Sequence, residues 1–220
     1  MLTISPPSDP FLPDELAGRI AAALERDGYL VLPDALPVRL AAALLDQVQS
    51  LDARQFSSAG TGREQDHSLD SRVRTDRIHW LDPDTMAARD YLRFVEELRS
   101  GLNRRLFLGL FDYECHFACY GPGAFYARHL DAFEGRRNRI LSTVFYLNAQ
   151  RSVDDGGELV LYARDGENVI EVIKPEFNTL VVFLSERFPH EVLTARRERY
   201  SLTGWYRVNA TTSQVLDPPA

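Results

Sequence analysis

The stretch Tyr126–Phe133, YARHLDAF, sets a histidine and an aspartate either side of one residue in a run that is apolar or aromatic apart from Arg128. On a strand, His129 and Asp131 point to the same face, about 6 to 7 Å apart along the backbone. An imidazole and a carboxylate at that separation can converge on one ion. Two ligands hold a transition metal poorly, so a third is required. His190, in RFPHEV, is the best-placed candidate, because it opens a late strand that a jelly roll can fold back beside an early one. An isolated pair of this kind is weak evidence, since a lone histidine is more often structural than ligating.

The arrangement after His190 raises its weight. Two histidines and one carboxylate form a facial triad with three octahedral positions open, the pattern of non-haem Fe(II) oxygenases. Nine residues beyond His190 lies Arg199, in RERYSLTGWYR, with Arg199, Ser201 and Thr203 alternating onto one strand face. A guanidinium is the natural bidentate partner of a carboxylate, and a buried cation without a partner is costly. The predicted site therefore chelates a dicarboxylate to iron.

Elements must bring these residues together, and the pattern supplies them. PDELAGRIAAALERDG starts with Pro and acidic residues and ends on Gly28, the polarity of a helix. YLVLP follows as a short strand, and a second helix carries Leu40, Leu44, Val48 and Leu51 on one stripe. A third helix is predicted at about residues 83–105. Beyond it come eight short runs rich in β-branched and aromatic residues: YECHFACYG, AFYARHLD, RILSTVFYLN, GELVLYA, VIEVIKP, NTLVVFLS, HEVLTA and YSLTGWYRVN. The reading is a mainly β, α+β chain: a jelly roll over about 113–209, with helical support over about 11–105 packed on one sheet. Residues 1–220 are read as a single domain, with no internal repeat or low-complexity tract.

Composition narrows the function classes. A chain of 220 residues with 45% hydrophobic content can bury one sizeable core. The formal net charge of −7 gives no support to a general polyanion-binding role, so no nucleic acid partner is expected. No apolar run is long enough to cross a bilayer, and MLTISPPSDPF does not read as a signal peptide, so a cytoplasmic protein without a membrane partner is expected. Cys115 and Cys119 would share a strand face roughly 13 Å apart, too far for a disulfide, and read as small buried apolar groups.

YARHLD, RILSTVFYLN, GGELVLY, PHEV and RYSLTGWYR, in that order, resemble the Fe(II)/2-oxoglutarate-dependent dioxygenases. The resemblance is to prolyl 4-hydroxylases of the hypoxia-inducible-factor type and their bacterial relatives, over about residues 74–208. It implies a double-stranded β-helix fold in which His129, Asp131 and His190 ligate Fe(II). It implies that Arg199 pairs with the distal carboxylate of 2-oxoglutarate and that Tyr146 hydrogen-bonds the same group. Tyr120 would lie near the keto-acid end, with Thr203 and Trp205 lining the pocket. The implied cofactors are Fe(II), 2-oxoglutarate and O2, with ascorbate as a further candidate. Oxidative decarboxylation would yield succinate and CO2 as a hydroxyl is delivered. A carboxylate in the triad fills the position that halogenating relatives leave to a halide, so hydroxylation is implied.

On the substrate side, RVRTDRIHWL resembles the family segment that precedes an apolar strand with a tryptophan. Asp76 would pair with Arg139 across the mouth, and Trp80 would pack near the target residue. Thr75 stands where relatives commonly have Gly, the residue that tolerates positive φ. The polar loop over about 56–77, with Gly60 and Gly62, would be a lid. His67, His79 and His116 have no assembled partners and read as structural or solvated. The implied partner is a protein with an exposed proline loop, a translation elongation factor being a candidate. Two other readings stay open: a hydroxylase of free amino acids, and a non-catalytic module that senses a metal or oxo-acid.

Overall fold

The computed structural model describes residues 13–60, 70–132 and 138–209. Helices α1 (Pro13–Arg26) and α2 (Val38–Ser50) flank strand β1 (Tyr29–Leu32). Strands β2 (Ser57–Ser58) and β3 (Arg77–Trp80) precede α3 (Met86–Leu106). The remaining strands are β4 (Asp112–Tyr120), β5 (Tyr126–His129), β6 (Arg139–Tyr146), β7 (Leu159–Tyr162), β8 (Val169–Ile173), β9 (Leu180–Leu184), β10 (His190–Val192) and β11 (Arg199–Arg207). All eight late strands lie where the sequence places them.

The helices begin and end for local reasons. Asp14 and Glu15 sit in the first turn of α1 and Arg26 in the last, each complementing the helix dipole. Gly28 ends the segment at φ +84°, where its N–H donates to the Ala23 carbonyl. A side chain there would also meet the Phe188 ring at 3.0 Å. Thr85 caps α3 by accepting from the Ala88 N–H at 3.0 Å. Where α1 crosses α3, a β-carbon at Gly101 would lie 2.6 Å from that of Ala17, so glycine sets the closeness of that crossing.

Two sheets form the body. The larger has the order β1-β9-β6-β11-β4-β3-β2 and the smaller β5-β10-β7-β8, with antiparallel pairing throughout. From β4 to β11 the chain switches sheet at every step except between β7 and β8, which pair with each other in the smaller sheet, as in a double-stranded β-helix. The helices cover the outer face of the larger sheet, burying Ile20, Leu44, Tyr91, Leu98 and Leu102 against Phe117, Leu141, Phe145 and Leu202. Truncating a fully buried residue such as Leu44 to alanine would cost about 2–5 kcal/mol. Between the sheets lies a second cluster that includes Val144, Leu161, Val181, Phe183 and Val192.

With both faces of the larger sheet covered, its strands read as near-continuous apolar runs. Period-2 alternation then sorts them. Leu141 and Phe145 on β6, Leu202 and Tyr206 on β11, and Cys115 and Phe117 on β4 face the helices. The intervening residues face the smaller sheet, and among them are the polar side chains that build the site. Cys115 and Cys119 are both buried and free, as expected.

Candidate active site

His129 ends β5 and His190 opens β10, and the two are direct cross-strand partners. Their rings lie 4.3 Å apart between centroids. Asp131, two residues beyond β5, places Oδ1 3.6 Å from His129 Nε2 and Oδ2 3.6 Å from His190 Nε2. One ligand atom from each residue lies within 4.8 Å of the others. The jelly-roll topology thus brings together residues 61 positions apart in the chain.

Each imidazole is oriented by the backbone. His129 Nδ1 lies 2.8 Å from the Ala127 carbonyl, and His190 Nδ1 lies 3.0 Å from the Phe188 carbonyl. A carbonyl can only accept, so Nδ1 carries the proton and Nε2 keeps a free lone pair directed at the cluster. Asp131 is held in turn by Ser142 on β6, whose hydroxyl donates to Oδ2 at 2.6 Å and lies 2.9 Å from the Ser185 hydroxyl.

The electrostatics favour a bound cation. Burial pushes the Asp131 carboxyl up, but His190, His129 and Arg139 outweigh it and hold the group well below the usual carboxylate range. Burial, aided by His129, lowers His190 to about 4, so its imidazole stays neutral near pH 7. Two imidazole nitrogens and one carboxylate oxygen form a donor set suited to a divalent transition metal such as Fe(II).

Along β11, Arg199, Ser201, Thr203 and Trp205 share the face turned toward the smaller sheet. Arg199 is 1% exposed. Its Nε donates to the Gly157 carbonyl at 3.2 Å and its Nη1 to the Ser201 hydroxyl at 2.9 Å. Its Nη2 is buried without a hydrogen-bond partner, as are the Tyr146 hydroxyl and the Trp205 indole N–H. The Arg199 guanidinium lies 4.6 Å from the Tyr120 ring centroid and 5.0 Å from that of Tyr146. Among the described residues no carboxylate pairs with it.

A buried cation and two further polar groups left without partners cost several kcal/mol in an isolated chain, on the order of the penalty for uncompensated buried charge. They fit an acid ligand with a carboxylate directed at Arg199 and Tyr146. Two cross-strand neighbours of this row are small, Ala118 opposite Ser201 on β4 and Val144 opposite Thr203 on β6, while Tyr120 lies opposite Arg199, Tyr146 opposite Ser201 and His116 opposite Thr203.

The mouth departs from the sequence reading. Asp76 does not pair with Arg139. Arg74 takes it instead through two hydrogen bonds, Nε to Oδ1 at 2.8 Å and Nη2 to Oδ2 at 2.6 Å. The reason is local: two residues apart on extended chain, Arg74 and Asp76 project to one side. Arg139 pairs with Glu114, Nε to Oε1 at 2.9 Å, and lies 3.7 Å over the Trp205 ring. Trp80 is half exposed on β3, with its edge to the His116 ring at 5.2 Å.

Thr75 adopts no positive φ. Its N–H donates to the Phe125 carbonyl at 3.1 Å and its hydroxyl accepts from the Phe125 N–H at 3.1 Å, so a side chain is accommodated and used here. Of the predicted lid, residues 61–69, with Gly62 and His67, lie outside the described residues. Gly60 is described, and its carbonyl accepts from Arg74. His79 Nδ1 lies 2.9 Å from the Gln55 carbonyl, while His116 is buried between Trp80 and Trp205.

Sequence reasoning missed Ser142, Arg74 and Tyr126. Ser142 was signalled by parity, since it shares a strand face with Val144 and Tyr146. Arg74 was signalled by its spacing from Asp76. Tyr126 stacks on His129 through an irregularity of β5 that alternation does not predict.

Residues 115–207 match the pattern of the 2OG-Fe(II) oxygenase superfamily. The fold is similar to the crystal structure of a prolyl-4-hydroxylase from Pseudomonas putida, with 40% identity, a TM-score of 0.79, and 88% of this chain and 100% of that chain covered. It is also similar to a prolyl hydroxylase from Trichoplax adhaerens in complex with a hypoxia-inducible-factor oxygen degradation domain peptide fragment. Identity there is 31% and the TM-score 0.77, with 89% of this chain and 90% of that chain covered. Egl nine homolog 1 of Homo sapiens is 28% identical over 198 residues, covering 85% of this chain and 45% of that protein. The chain thus spans about half the length of the curated relatives it matches, with 57% of the Rattus norvegicus protein covered.

Proposed function

This chain belongs to the 2OG-Fe(II) oxygenase superfamily, on its prolyl hydroxylase branch, and from that premise we propose that it hydroxylates a prolyl residue in a protein. The family uses Fe(II), 2-oxoglutarate and O2, and the donor set of His129, Asp131 and His190 suits that metal. The observation that carries the proposal is Arg199: a fully buried guanidinium with one unpartnered nitrogen, beside an unpartnered tyrosine hydroxyl.

Bound iron, with 2-oxoglutarate and O2, supplies the oxidising power. One oxygen atom goes to the succinate formed with CO2, and the other replaces a substrate hydrogen as hydroxyl. The protein supplies position. His129 and His190 present fixed lone pairs, and Ser142 fixes the carboxylate of Asp131. Arg199 and Tyr146 anchor the far carboxylate of 2-oxoglutarate. Tyr120 flanks the guanidinium, and Thr203 and Trp205 extend the row toward the mouth. Phe183, edge-on to His190 at 4.8 Å, helps keep water from the cluster.

A protein substrate is favoured by the peptide bound to the Trichoplax adhaerens relative. A loop with an exposed proline suits a recessed metal, and a translation elongation factor is the candidate raised by resemblance. Asp76, Trp80 and Arg139 remain the proposed substrate-side residues, Arg139 acting from its stack on Trp205 rather than through Asp76. Ascorbate is proposed to sustain turnover, and a cytoplasmic site of action belongs to the same proposal. Among the described residues no helix is long and apolar enough to cross a membrane.

The test is mass spectrometry of proteins from cells with and without this chain. A prolyl residue heavier by one oxygen only where the chain is present supports the proposal. Iron-dependent CO2 release from 2-oxoglutarate with free amino acids consumed, and no protein modified, would replace it with a small-molecule hydroxylase. No CO2 release at all would leave a non-catalytic sensor.

A further inference from the structure

In a regular strand Tyr126 and His129, three residues apart, would project to opposite faces. They do not. Pairing between β5 and β10 steps from His129↔His190 to Tyr126↔Val192, three residues on one strand against two on the other. This bulge turns Tyr126 onto the side of His129, and the rings stack with centroids 3.6 Å apart and planes 15° from parallel. The Arg74 guanidinium lies 4.1 Å from the same tyrosine ring. At these distances the imidazole and the guanidinium cannot share one face, so the phenol is clamped between them.

The clamp is itself fixed. Arg74 bridges Tyr126 across a β-pair, the Ala127 N–H donates to the Val73 carbonyl at 2.7 Å, and Arg74 is held bidentately by buried Asp76. Segment 73–76 thus lies along the edge of the smaller sheet, and β3, which continues it, pairs with β4 of the larger sheet. The chain closes the gap between the two sheets beside the metal ligands.

We propose that Tyr126 is a positioning residue for the metal ligand His129, and that Arg74 acts through it, so that the seating of segment 73–76 sets the plane of one ligand. The inference rests on His129 being a metal ligand and needs neither the prolyl substrate nor the oxygenase reaction. The backbone hydrogen bond at Nδ1 fixes the tautomer of His129 but permits rotation about that axis. A ring stacked on its face removes the rotation. A cation on the far side adds to the attraction.

The test titrates the metal-free full chain with Co(II), read by its visible absorption. Tyr126→Leu is expected to weaken Co(II) binding about tenfold, the usual effect of losing a partner that orients a ligand, and to shift the absorption band. Tyr126→Phe, which keeps the stack, should stay within about twofold of the parent. A Tyr126→Leu protein matching the parent in affinity and spectrum would overturn the proposal. So would a Tyr126→Phe protein as weak as Tyr126→Leu. A second measurement needs no variant: the stack should move the carbon-bound ring protons of His129 upfield of those of His190, and coincident shifts would also overturn it. A chain that passes these tests but hydroxylates no protein would refute only the function proposed above.

Discussion

His129 and His190 face each other across two strands, each with Nδ1 turned to the carbonyl two residues before it. The repeated arrangement means that the backbone, not the metal, selects the tautomer. The site is therefore formed before metal arrives, and folding and loading are separable. Metal-free protein should be folded, and a metal at 100 times its Kd should add about 2.7 kcal/mol of stability. For a chain of this length that is a rise in Tm of about 5–10 °C. Thermal unfolding with and without Mn(II) checks it, and Asp131→Ala should abolish the rise while leaving a cooperative transition. Ser142→Ala should shrink it, because the carboxylate loses its 2.6 Å donor.

Arg199 has no carboxylate partner among the described residues, and its Nη2 waits for one. Arg199→Gln removes the cation and the bidentate geometry together, an interaction of about 2–5 kcal/mol when buried and charged. The dissociation constant for 2-oxoglutarate should rise by about 30-fold or more. Arg199→Lys should recover little, since a lysine presents a point charge and cannot also bond Gly157 and Ser201 as the fork does. Calorimetry on the Mn(II)-loaded protein measures both.

The rearranged ion pairs at the mouth can be checked by thermodynamic coupling. Asp76 is 2% exposed and bonded twice by Arg74, so leaving either partner alone and buried should cost about 3–5 kcal/mol. In a double-mutant cycle by urea unfolding, Arg74→Ala and Asp76→Ala should couple by more than about 1 kcal/mol. Arg139→Ala and Asp76→Ala should be nearly additive, because Arg139 spends its charge on Glu114. Strong coupling in the second cycle would restore the pairing expected from sequence.

What could be read in advance followed from periodicity and from residue chemistry. The eight strands announced themselves through β-branched runs between turns, and the triad through H-x-D with a late histidine. The inward set on β11 needed only parity. What escaped depended on contacts that cross elements or break the period. The Asp76 pairing was misassigned because two arginines compete for one carboxylate, and the two-residue spacing that favours Arg74 went unweighed. The Tyr126–His129 stack was hidden by a one-residue bulge, since alternation puts those side chains on opposite faces. Ser142 was legible and overlooked, an uncharged residue in an apolar strand whose role appears only once Asp131 lies above it.

His116 supplies a prediction about acid. It is 3% exposed, its ring lies 5.2 Å from that of Trp80 and 5.5 Å from that of Trp205, and burial with Arg74 nearby lowers it to about 4 from 6.5. Arg139 pushes in the same direction, while Asp76 opposes. The folded chain keeps this imidazole neutral where the unfolded chain has already taken a proton. Unfolding therefore binds a proton between pH 6.5 and about 4, and stability falls as pH drops through that window. A shift of this size corresponds to about 3 kcal/mol of stability, fully present above the upper value and fully lost below the lower. His190 contributes a window of the same sign, so the comparison must isolate His116. His116→Met removes the titrating group and keeps an apolar side chain of similar bulk. Urea unfolding of metal-free protein at pH 8, 6, 5 and 4 should then show a shallower decline for the variant, by about 3 kcal/mol across the range. Parallel curves would mean that His116 is protonated as readily in the folded chain as in the unfolded one.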